Sequence, residues 1–232
     1  MQPINLYIFH LINGFAGNHV LDIIVSKTRD TEIFHALIIA APYVALWFHS
    51  DDKKRRQNLI LGLLAGLIAV LVARVLAHVL PFEVRPMFAA GSGFKPLSVP
   101  GSAAEDWSSF PSDNAAFTLA VALGLFSVNR KISIALAVVV AVIYGVFRVY
   151  SGFHYPADIV AGWMIAVASV IAVRPMSRIF DLIAWPSIPE HLAPILYAGS
   201  FVALTEYASM FHAARAAARM IPFVSGFLHP GR

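Results

Sequence analysis

Hydrophobic residues in this chain fall into long blocks separated by short polar or charged stretches. Crossing hydrocarbon as a helix takes about 20 apolar residues, with roughly 17 as a lower limit. Six blocks approach that length. The strongest is 57–80, followed by 132–150 and 157–173; weaker ones cover 31–48, 112–128 and 191–211, the last holding Glu206. Residues 3–27 differ, because apolar positions recur at helical spacing but Asn5, His10, Asn13, Asn18 and Asp22 interrupt them. That pattern predicts an amphipathic helix lying on the membrane interface. No basic n-region precedes it, so a cleavable signal peptide is not expected. The expected fold is all-α: a polytopic transmembrane bundle of about six helices, residues 31–232, preceded by an N-terminal interfacial amphipathic segment, residues 1–30.

Composition agrees with lipid as the main solvent. The 232 residues are 59% hydrophobic and 13% charged, too little polar surface for a water-soluble globule. The net charge of +4 is small, and its basic residues cluster at the ends of apolar blocks. A nucleic-acid partner would need a continuous basic face, so none is expected. With no cysteine, disulfide and thiolate chemistry are excluded.

Basic residues in short loops set orientation. Lys53, Lys54, Arg55, Arg56, Arg130, Lys131, Arg174 and Arg178 fall on alternate loops, hence on one side, the expected cytoplasmic one. Lys27, Arg29, Arg85, Lys95 and Arg148 fall on the other. The long 81–111 connection and the 150–156 turn therefore face outward. Six crossings put Arg215, Arg219 and Arg232 outside, against the rule, so the last block is the one expected not to cross fully.

Three stretches at the outer ends of the spans hold the chemistry: HVLPFEVRP (78–86), FPSDN (110–114) and FRVYSGFHYPAD (147–158). In the third, Arg148 closes one helix, His154 sits in the turn, and Asp158 lies just inside a helix that Pro156 can open. The spacing of four brings a carboxylate to an imidazole, the arrangement that orients a nucleophilic or basic histidine.

These stretches resemble the type 2 phosphatidic acid phosphatase superfamily of membrane phosphatases, whose pattern is Lys-x6-Arg-Pro, then Pro-Ser-Gly-His, then Ser-Arg-x5-His-x3-Asp. Arg85-Pro86, Pro111-Ser112, and Arg148 with His154 and Asp158 match in type and spacing. Order and span arrangement, with Trp107-Ser108-Ser109-Phe110 before the second motif, are similar to the bacterial undecaprenyl-diphosphate phosphatase branch. The motif core is 57–173. The resemblance implies His154 as a nucleophile forming a phosphohistidine, Asp158 orienting it, and Arg85 and Arg148 gripping phosphoryl oxygens with planar guanidinium forks. Ser112 and the backbone N–H groups of 112–114, Asp113 and Asn114 included, would add donors at a helix N-terminus. No metal or cofactor is implied, because the arginines supply the positive charge.

The sequence departs from that pattern in three places. His78 stands where the family has Lys, with Arg74 one turn earlier as a substitute cation. Phe147 replaces the Ser before Arg148. Asn114 occupies the position of the His that protonates the leaving oxygen, and an amide cannot donate a proton at a useful pKa. An alkoxide leaves badly without that proton, whereas a lipid phosphate leaves as a stabilised anion. That favours a diphosphate over a monoester, and the resemblance implies an isoprenoid diphosphate such as undecaprenyl diphosphate, cleaved at the outer face of a bacterial plasma membrane so that the carrier lipid is recycled for cell-envelope polymers. Two alternatives stand beside hydrolysis: a lipid phosphotransferase on the same fold, and a member impaired at Asn114 that only binds lipid diphosphates. Partners are the polyprenyl diphosphate and membrane lipids, and oligomeric state has no sequence signature.

Overall fold

A computed structural model describes residues 3–30, 32–49, 52–99 and 107–178, together with Ala203 and Tyr207. Apart from Ala203 and Tyr207, the expected 191–211 crossing lies outside the described residues, as does the basic tail. Among those described, every regular element is helical. They are α1 (Pro3–Asn13), α2 (His19–Asp30), α3 (Glu32–Phe48), α4 (Lys53–Val79), α5 (Asp113–Gly124), α6 (Arg130–Ala141), α7 (Phe147–Tyr150) and α8 (Pro156–Val173). A π-helical turn, Val142–Val146, joins α6 to α7 in one continuous rod.

Among the described residues, three helical stretches are long and apolar enough to cross a membrane: Lys53–Val79, Arg130–Tyr150 and Pro156–Met176. These coincide with the three strongest blocks of the sequence. The weaker blocks at 31–48 and 112–128 form shorter apolar helices, Leu37–Phe48 and Asp113–Ser127.

The chain divides into two units, one of residues 1–31 with 46–184, the other of residues 32–45 with 185–232. In the first, α4, α5 and α8 pack against one another. Their common core is made of small side chains: Ala69 and Ala73 from α4, Ala116 and Ala120 from α5, and Ala166 from α8. Larger apolar residues face outward, among them Val75 at 60% exposure on α4 and Met164 at 66% on α8. Small residues inside and large apolar ones outside suit lipid, which offers no hydrophobic drive to bury a leucine but rewards close backbone packing. At the tightest crossing Gly124 lies directly against the Gly62 backbone, leaving no room for a Cβ.

Local signals place the helix starts beside the three polar stretches. Ser112 caps α5, its Oγ accepting from the Ala115 N–H at 3.4 Å. Pro156 opens α8, as its lack of an N–H allows. The π-helical turn carries Gly145 against the Trp163 ring of α8, where a Cβ would come within 2.9 Å of a ring carbon. Such turns rotate the residues that follow relative to an unbroken α-helix, and Arg148 is among those residues.

Candidate active site

His154 lies in the turn between α7 and α8 and is almost fully buried, at 1% exposure. Its Nδ1 is 2.8 Å from the Ser109 carbonyl oxygen. A carbonyl can only accept, so Nδ1 carries the proton and the neutral ring presents its lone pair at Nε2. Nε2 is buried and has no hydrogen-bond partner.

Asp158 comes within reach of this ring without being its nearest partner. Its Oδ2 is 3.6 Å from Nδ1, and the same oxygen accepts from the Ser109 hydroxyl and from the Tyr155 N–H at 2.7 Å. Asp158 therefore holds the residue whose carbonyl holds His154. The spacing of four operates through a turn that curls back on the first turn of α8, since His154 precedes the helix. Burial pushes the His154 pKa below its ordinary value, the nearby Arg85 and Arg148 charges push the same way, and Asp158 opposes them.

Two arginines flank the turn. Arg85 donates from Nε to the Trp107 carbonyl at 3.3 Å and from Nη1 to the Phe153 carbonyl at 3.1 Å. Its guanidinium carbon lies 5.8 Å from the Phe153 ring centroid, and that of Arg148 lies 5.3 Å from the same centroid. One aromatic ring thus brings together cations that are 63 residues apart in sequence (148 minus 85).

The N-terminus of α5 supplies the remaining expected residues. Asp113 pairs with Arg74, Oδ2 to Nε at 3.2 Å, and its Oδ1 accepts from the Asn114 N–H and side-chain amide at 2.7 and 3.0 Å. The Ser112 N–H donates to the Asp158 carbonyl at 3.1 Å. The backbone donors of Ser112 and Asn114 are thereby engaged within the protein. Gly162 makes this approach possible, because a Cβ there would reach 3.1 Å from the Ala115 Cβ and closer still to the Ser112 carbonyl. The His78 ring lies 5.3 Å from the ring of Trp107, tilted by 52° to it, and the Trp107 carbonyl holds Arg85.

Two contributors were not singled out from sequence. Ser109 orients His154 through its main chain, and the Trp-Ser-Ser-Phe run was its only mark. Glu83 is half-buried two residues before Arg85; burial, and then repulsion from Asp158, raise its carboxyl above the ordinary range. Its signal was available as a lone carboxylate between two candidate site residues in a chain poor in charge.

The turn is held from below as well. Gly152 has φ of +72°, and the Phe94 ring fills the space a Cβ would need. Gly152→Ala is expected to lower stability by about 1–2 kcal/mol from the left-handed backbone alone, with more from the displaced ring. Thermal unfolding in detergent reads the first effect, and turnover in the surviving folded fraction reads the displacement of the turn.

The region from the first polar stretch to the end of α8 also matches known proteins. Residues 82–180 match the PAP2 superfamily. The chain is 32% identical over 165 residues to Undecaprenyl-diphosphatase BcrC of Bacillus subtilis (strain 168), an alignment covering 70% of this chain and 79% of that relative. No solved structure matches this chain. Arg85, Arg148, His154 and Asp158 all lie inside the matched residues, and with a relative of that identity spanning most of its length the chain belongs to the PAP2 superfamily.

Proposed function

We propose that this protein hydrolyses the terminal phosphate of an isoprenoid lipid diphosphate, converting undecaprenyl diphosphate to undecaprenyl phosphate, at the outer face of a bacterial plasma membrane. The observation that carries the reading is the buried, neutral His154 with Nδ1 committed to Ser109 and Nε2 unpartnered beside two arginines. The name of the Bacillus relative supports the substrate class. In this reading about six helices cross the bilayer, the 1–30 segment lies on the interface, and the 81–111 and 150–156 connections face outward. A polyprenyl tail stays in lipid while its diphosphate reaches the arginines, so access is lateral.

The reaction runs in two displacements. The Nε2 lone pair attacks the terminal phosphorus, and the bond to the bridging oxygen breaks with its electrons leaving on the lipid monophosphate. Arg85 and Arg148 hold the three equatorial oxygens as charge spreads over them. Water then attacks the phosphohistidine, releasing inorganic phosphate and returning the lone pair to Nε2. Asp158 stabilises the charge that the imidazole gains. Arg74 extends the cationic lining, and His78 adds a hydrogen-bonding ring beside it. Ser112 shapes the α5 N-terminus, and Asp113 works by holding Arg74 and the Asn114 amide, since a carboxylate would repel phosphate directly.

The test is phosphate release from undecaprenyl diphosphate by purified protein, followed across pH. Neutral His154 is the reactive form and its pKa is depressed, so kcat/KM is expected to hold at neutral pH and to fall only below the ordinary value of 6.5. Stability follows the same sign. The unfolded chain takes up the proton first, so His154 costs stability progressively as pH drops below 6.5. An acid limb at or above 6.5 argues against His154 as the attacking group. Label passing to a second lipid, with no free phosphate, would replace hydrolysis by transfer.

A further inference from the structure

The two N-terminal helices turn polar residues inward and apolar ones outward. On α1, Asn5, Phe9 and Asn13 recur every four residues and face the protein, while Ile4, Tyr7 and Leu11, and Phe15 just beyond the helix, are exposed at 58–69%. The interrupting polar residues are the ones that find partners. Asn13, 1% exposed, accepts from the Lys95 N–H at 2.7 Å and donates to the Lys95 and Tyr150 carbonyls at 3.0 and 2.8 Å. Asp22, fully buried, accepts from the Ser98 N–H at 2.7 Å, the Ser98 hydroxyl at 2.6 Å, the Tyr150 hydroxyl at 2.6 Å and the Gly17 N–H at 3.1 Å. Burial alone would raise this carboxyl, but those hydrogen bonds outweigh it and hold the pKa below the ordinary value. The Asn5 side-chain Oδ1 accepts from the Ala157 N–H at 3.0 Å, in the first turn of α8.

Each of these contacts lands beside the candidate site. Tyr150 is two residues past Arg148. The 92–98 stretch continues to the arginine and histidine segments: the Ser92 hydroxyl donates to the Pro86 carbonyl at 2.8 Å, Phe94 lies under Gly152, and the Met87 N–H donates to the Gly152 carbonyl at 3.0 Å. Ala157 immediately precedes Asp158.

We propose that the α1 and α2 helices form a positioning element of the active site, in which Asn13 and Asp22 set the Arg85, Arg148 and His154 segments relative to one another. The catalytic readout rests on the phosphatase reading above. An amide with all three of its partners on main-chain groups of two distant segments acts as a gauge of their separation, and misplacement of a reacting group by about 1 Å can cost on the order of 100-fold in rate.

The test compares wild type, Asn13→Ala and the milder Ser98→Ala, which removes one donor to Asp22. Measurements are kcat and KM on undecaprenyl diphosphate, inhibition by orthovanadate, and amide hydrogen exchange at 92–98 and 150–155. Asn13→Ala is expected to lower kcat by about 10- to 100-fold with KM changed by less than about 3-fold. Orthovanadate inhibition weakens in parallel, and exchange at both segments accelerates. Ser98→Ala shows the same pattern at about 3- to 10-fold, and carries the test if Asn13→Ala does not fold. Activity that falls only with the folded fraction, leaving kcat per folded molecule and orthovanadate sensitivity at wild-type values, overturns the proposal. If wild type releases no phosphate, the phosphatase reading fails by itself. Hydrogen exchange then decides the role of α1 and α2: acceleration at both segments upholds the coupling, and unchanged exchange overturns it.

Discussion

Replacing His154 by alanine is expected to abolish phosphate release from undecaprenyl diphosphate, a loss of about 10³-fold or more if the ring is the nucleophile. The nearest other nucleophile is the Asp158 carboxylate, and it lies against Nδ1 at 3.6 Å, not at Nε2. Asp158 commits Oδ2 to Ser109 and Tyr155, and Arg85 and Arg148 have no lone pair to give. Wild type incubated briefly with terminally labelled diphosphate should retain acid-labile label on the protein, and the variant none. Asp158→Asn should be milder than His154→Ala, since Ser109 still holds Nδ1 through its carbonyl while the charge opposite the imidazolium is gone. A His154→Ala protein that still releases phosphate near the wild-type rate would mean that water attacks directly between the arginines, and the covalent route would be wrong.

Restoring a histidine at position 114 is expected to change substrate preference as well as rate. In the second position of α5, Asn114 gives its amide hydrogens to Asp113, and an amide has no proton to lend a departing alkoxide. General-acid assistance typically contributes about 10²–10⁴-fold. A lipid phosphate leaving group needs little of that help and an alkoxide needs most of it. Wild type should therefore favour undecaprenyl diphosphate strongly over a lysophosphatidate-type monoester, and Asn114→His should raise the monoester rate toward that range while moving the diphosphate rate far less. Asp113 beside the new imidazole would stabilise its protonated, donating form. Equal wild-type rates on the two substrates would show that leaving-group protonation does not limit this enzyme. Binding without release in wild type, relieved by Asn114→His, would instead identify a lipid-diphosphate binder that lost its acid.

The parts of this protein that were readable from sequence are those enforced over short distances. The 57–80, 132–150 and 157–173 blocks became the three long apolar helices because a spanning helix must satisfy its own backbone and show apolar side chains to lipid. The third motif was readable because Arg148, His154 and Asp158 are joined by one turn. The N-terminal segment was harder. Asn5, His10, Asn13 and Asp22 read as a polar face turned to water or headgroups, yet the structure gives each a protein partner. His10 Nε2, for instance, lies 2.6 Å from the Ser92 carbonyl. A helix with one polar and one apolar face looks the same in sequence whichever face is turned inward, and only the solvent on the far side decides between them.

The site shows the same division at atomic scale. Residue type alone determined that this chain is a helical membrane protein with arginines, a histidine and an aspartate concentrated at three helix ends, because hydrocarbon tolerates few charges and the motif offsets are local. Which atom orients His154 was a decision of the tertiary structure. The acceptor is the main-chain carbonyl of Ser109, 45 residues away, and every residue in the chain carries the same group. Main-chain hydrogen-bond partners leave no mark on side-chain identity. Only packing α5 against α8, with Gly162 pressed to the start of α5, could bring that one carbonyl to the ring.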